Sequence, residues 1–101
     1  MAEVLYGIIR NQASILKINS ADWDKISKEL LDTLFSEEYD NTKRDINNLR
    51  NKILKFLIDN NIFGENTNHS PTNLGIGIKR IELCWFISGI VLGSKARLYK
   101  L

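Results

Sequence analysis

Ten consecutive residues, 83–92, are almost entirely apolar, and they constrain the fold more than any other feature of the chain. They lie in the middle of a predicted helix over about residues 78–96. A helix that is apolar on every side is central in its fold, lies in a partner interface or crosses a membrane. Ten residues cannot span a bilayer, and Lys79, Arg80 and Glu82 interrupt any longer apolar window, so no transmembrane segment is predicted.

The length of the chain limits how that helix can be covered. A single domain of 101 residues buries roughly two-thirds of its unfolded surface, which gives a modest core. In a domain of about four helices, the other three struggle to cover every side of one helix. Two interpretations stay open with nearly equal weight. Either the helix is central and covered by the others, or a second chain covers part of it.

Three earlier segments, over about residues 2–17, 20–35 and 42–60, have apolar residues at the 3.6-residue period of an amphipathic helix. The main apolar positions are Leu5, Ile8, Ile9, Ile15 and Leu16 in the first, Trp23, Ile26, Leu30 and Leu34 in the second, and Ile46, Leu49, Ile53 and Leu57 in the third. The sequence therefore predicts an all-α fold. We expect one domain over residues 1–101, a small bundle of about four helices with a loop at 64–73.

Capping signals place several helix ends. Asn19 or Ser20 is a good N-cap for the second helix. The third helix is expected to end near residues 60–61, with Gly64 just beyond. Residues 74–78 alternate in a way that allows a short strand, but such a strand would need a partner from a second chain. We favour instead a helical start of the last helix, in which Gly75 and Gly77 weaken the helix locally.

Few side chains in this sequence could carry out catalysis or bind a metal. With one cysteine and one histidine, the chain can form neither an internal disulfide nor a multi-histidine metal site. No Ser-His-Asp set, glycine-rich phosphate loop or cysteine pair for zinc can be argued from spacing. His69 is interpreted as a solvated loop residue and Cys84 as an inert core thiol. We expect no enzymatic activity, no cofactor and no metal.

Two acidic clusters, Asp22 with Asp24 and residues 37–40, are interpreted as solvated charges at helix ends. The N-terminal residues lack a basic region followed by an apolar stretch, so a secretory signal is not expected. A cytoplasmic location is the resulting expectation, and the single cysteine agrees with it.

Charge is unevenly placed along the chain. Residues 1–40 carry four basic and eight acidic side chains, whereas residues 41–101 carry ten basic and four acidic ones. This asymmetry is either incidental or marks a basic surface for a polyanion or an acidic partner. The polar side of the third helix also collects residue types that contact base edges and phosphates, and the second and third helices could form a helix-turn-helix. The residues concerned are Arg44, Asn47, Asn48, Asn51, Lys52 and Lys55.

A non-enzymatic protein–protein interaction module is the function that these patterns favour. The module would self-associate, as a homodimer for example, or dock to a partner protein through the apolar C-terminal helix. Its candidate interface residues are Trp85, Phe86, Ile87, Ile90 and Val91, because large apolar side chains often dominate interface energies. The alternative is a nucleic-acid-binding regulatory protein that uses the polar side of the third helix. A merely solvated helix face explains that side more simply, and the net charge is only +2.

Overall fold

The computed structural model describes residues 2–36, 46–64 and 73–100, and side chains within 3–36, 46–64 and 75–93. These residues form four helices and no strand: α1 (Ala2–Ile15), α2 (20–34), α3 (Ile46–Asp59) and α4 (Asn73–Lys100). The predicted all-α class, a small bundle of helices, is confirmed. Arg44, His69 and the acidic cluster at 37–40 lie outside the described residues, as does most of the predicted loop.

The last helix begins earlier than the sequence predicted. α4 starts at Asn73, about five residues before the predicted start. Residues 74–78 are helical, as favoured, and the short strand considered there does not form. α4 has 28 residues, twice the 14 of α1 or α3. It packs against both α3 and α1.

A π-helical segment widens the middle of α2. The helix runs from an α-helical part at Ser20–Lys25 through π-helical residues Ile26–Leu31 to a last α-helical turn at Asp32–Leu34. The N–H of Asp32 bonds the carbonyl of Ser27, which is the i→i+5 pattern of a π turn. The predicted apolar stripe of α2 is confirmed, since each of its four residues is buried.

The N-terminus of α2 has the predicted cap. Asn19 is extended, and its Oδ1 accepts a hydrogen bond of 2.7 Å from the backbone N–H of Asp22. This bond satisfies one of the N–H groups that a helix leaves without an internal partner.

Helix α3 ends in a Schellman motif, close to the predicted position. Asn61 takes the left-handed conformation (φ 52°), and the N–H of Ile62 bonds the carbonyl of Leu57 at 2.9 Å. Gly64, the residue expected just past the end, lies beyond the motif and has no positive φ. Lys17 (φ 65°) ends α1 by the same motif.

One continuous core joins the described helices. Its buried apolar residues are Ile9, Ala13, Leu16, Trp23, Ile26, Leu30, Leu31, Leu34, Leu49, Ile53, Leu57, Ile62, Phe63, Leu83, Cys84, Ile87 and Val91. The prediction for α1 is wrong at two positions, because Ile8 and Ile15 are 44% and 72% exposed. Each lies about 100° around the helix from a buried neighbour, on an arc that the other described helices leave uncovered.

The turn after α3 joins three helices. A carboxylate oxygen of Asp22 on α2 accepts a 3.1 Å hydrogen bond from the N–H of Phe63. From α4, Nε of Arg80 donates to the carbonyl of Ile62 at 2.9 Å, and Nη2 donates to Oδ1 of Asn61 at 3.2 Å. The interpretation of Asp22 as a solvated charge is therefore wrong, since its side chain is buried, whereas Asp24 is exposed.

Candidate interaction surface

One side of α4 exposes three large apolar side chains. Ile78, Ile81 and Trp85 are 49%, 44% and 60% exposed. Their spacing of three and then four residues places them within about 60° of arc on one side of the helix. We call Ile78, Ile81 and Trp85 the α4 face. Among the described residues, nothing covers most of this face, so a partner that packed there would remove apolar surface from water.

The predicted interface residues do not share one surface. Ile87 and Val91 are fully buried in the core of the single chain, so neither is exposed for a partner. Phe86 and Ile90 are half-buried and pack against that core. Only Trp85 is mainly exposed. The apolar circumference of α4 is thus divided: one side is covered by the bundle, and the opposite side is the α4 face.

Arg50 on α3 lies over the ring of Trp85, with Cζ 5.2 Å from the ring centroid. This is a cation–π contact, which holds the indole against α3 although most of it faces solvent. The Nε of Arg50 is buried and has no hydrogen-bond partner.

One charged residue, Glu82, borders the α4 face, whereas Lys79 lies about 200° around the helix from Ile81. Glu82 is exposed and makes no ion pair within the part of the chain that the structure describes, and Lys79, one turn earlier, is half-buried with Nζ 5.9 Å from the Phe63 ring centroid. Gly77 and Gly89 lie near the same face, and a Cβ built on either meets no atom within 4 Å. A glycine in a helix costs about 0.5–1 kcal/mol relative to alanine, and packing within the described bundle does not require one at these positions.

The polar side of α3 presents most of the predicted nucleic-acid-binding residues together. Asn47, Asn48, Asn51, Lys52 and Lys55 are exposed on one side of the helix. Lys52 and Lys55 also line a groove of about 320 Å³ between α2 and α3, where Glu29 and Asp59 are lining residues too. Because both signs of charge meet there, the groove itself is not a strongly positive channel for a phosphate backbone.

Two side chains have raised pKa values without forming a catalytic site. Burial raises the pKa of the Cys84 thiol, the nearby Arg50 charge opposes that rise, and the thiol donates to the carbonyl of Arg50 at 3.2 Å. Partial burial raises the pKa of the Tyr6 hydroxyl, and the hydrogen bond that it donates to Asp32 raises it further. Both groups hold their protons at neutral pH, so neither is an activated nucleophile.

No group of three or more histidine, cysteine or acidic side chains converges in the described ranges. None of the described helices combines the length and apolar content needed to cross a bilayer.

Sequence reasoning missed the residues that define the exposed surface. Ile78 and Ile81 precede the continuous apolar stretch. Two charged residues, Lys79 and Arg80, separate them in sequence, so the side of the helix that they share is not evident from a continuous apolar run. Their spacing with Trp85, three and then four residues, was the signal that could have identified them. The contact of Arg50 with Trp85 is long-range, and no pattern in the sequence marks it.

Comparisons of the chain with protein-family models, with curated proteins and with solved structures found no match.

Proposed function

We propose that this protein is a non-enzymatic protein–protein interaction module that binds its partner through the α4 face. The observation that carries the proposal is the exposure of Ile78, Ile81 and Trp85 on one side of a helix whose other side is packed into the core. The proposal includes a cytoplasmic location, which is supported by the single buried thiol and the lack of any cysteine pair.

The chemistry of the face suits a small interface. Burying a large apolar side chain contributes roughly 1.5–3 kcal/mol relative to leaving it in water. Trp and Arg are among the residues that contribute most to interfaces, and here Trp85 is already held by Arg50. Glu82 supplies an exposed charge beside the apolar centre, and a polar rim is typical of interfaces.

Nucleic-acid binding through α3 is the second candidate function. Exposure of Asn47, Asn48, Asn51, Lys52 and Lys55 on one side supports it. The acidic residues around the adjacent groove, Glu29 and Asp59, weaken it. We therefore place it behind protein binding.

Site-specific photocrosslinking in cells that produce the protein separates the two functions. A photoreactive amino acid at residue 81 should give discrete protein adducts, whereas the same probe at residue 51, on the polar side of α3, should give none. Nucleic-acid adducts at residue 51 without protein adducts at residue 81 would favour the alternative. If neither position gives an adduct above the level of an irradiated unrelated protein, both functions are contradicted.

A further inference from the structure

We draw no further inference here: the strongest candidate, the exposed apolar α4 face of Ile78, Ile81 and Trp85, already carries the proposed function, and nothing in the structure shows what covers it.

Discussion

The carboxylate of Asp22 and the backbone N–H of Phe63 form a buried hydrogen bond of 3.1 Å, although the two residues are 41 positions apart in sequence. Asp22 also takes part in the capping of α2 through Asn19. One side chain thus joins the start of α2 to the turn after α3. A buried N–H left without an acceptor costs free energy, so this contact should matter to stability.

Replacing Asp22 by alanine should lower the free energy of unfolding by about 1–3 kcal/mol, because the N–H of Phe63 loses its buried acceptor. Guanidinium denaturation followed by circular dichroism measures the change. Asp24→Ala is the matched control, since Asp24 lies on the same helical turn but is exposed. Equal losses in both variants would show that the Phe63 contact contributes little.

The left-handed residue at the end of α1 offers a stabilising substitution. Lys17 has φ 65°, a conformation that costs a non-glycine residue roughly 1–2 kcal/mol. Lys17→Gly should therefore raise the midpoint of thermal unfolding. Asn61→Gly should not, because the Asn61 side chain also binds Arg80 and the carbonyl of Gly64. A gain at Asn61 equal to that at Lys17 would contradict this distinction.

Gly64 should not tolerate a side chain. A Cβ at this position would overlap the side-chain amide of Asn61, so Gly64→Ala must displace the amide that Arg80 contacts. We expect lower thermal stability. Gly7→Ala in α1 should instead be neutral or stabilising by about 0.5–1 kcal/mol, since a Cβ at Gly7 meets no atom within 4 Å. Differential scanning calorimetry of the two variants provides the comparison.

Truncating a side chain to alanine should affect mainly folding stability on the buried side of α4 and mainly partner binding on the exposed side. Ile87 is fully buried, and its replacement by alanine should cost about 2–5 kcal/mol of folding free energy. Trp85→Ala should cost much less, because most of the ring already contacts solvent, but it should weaken partner binding. Chemical denaturation and photocrosslinking from residue 81 separate the two effects. A Trp85→Ala variant as unstable as Ile87→Ala would assign Trp85 to the core.

Stability at high pH should depend on Tyr6. Partial burial and the hydrogen bond to Asp32 raise the pKa of its hydroxyl above the ordinary value of 10.0. The unfolded chain then loses this proton at a lower pH than the folded chain, so the contribution is complete below pH 10 and declines above it. The free energy of unfolding of wild type should fall more steeply from about pH 10 upward than that of Tyr6→Phe. Parallel curves would contradict the role of this hydroxyl.

The all-α fold and most of the core could be predicted from sequence because helical periodicity is a local signal. The apolar stripe on α2 is a clear example. Trp23, Ile26, Leu30 and Leu34 lie on one side of the helix and are buried, and the opposite side carries polar residues. The errors in α1 have a physical cause. Ile8 and Ile15 are apolar, yet none of the elements that the structure describes covers their arc.

The candidate site was only partly predictable. Within 83–92 there are few polar residues to show which side of α4 faces the core, so Ile87 and Trp85 looked equivalent although they lie on different sides. Contacts such as Asp22 with Phe63 and Arg50 with Trp85 join residues far apart in sequence. Such contacts depend on how the helices pack, and one sequence read alone does not contain that information.

The different environments of the two tryptophans give this protein a built-in pair of optical probes. Trp23 is 7% exposed beneath Arg10, whereas Trp85 is 60% exposed on the α4 face. Iodide should quench the emission of Trp85 and leave that of Trp23 almost untouched. Occupancy of the α4 face can thus be followed by fluorescence in the unlabelled native chain, while the emission of Trp23 reports separately on whether the core is intact.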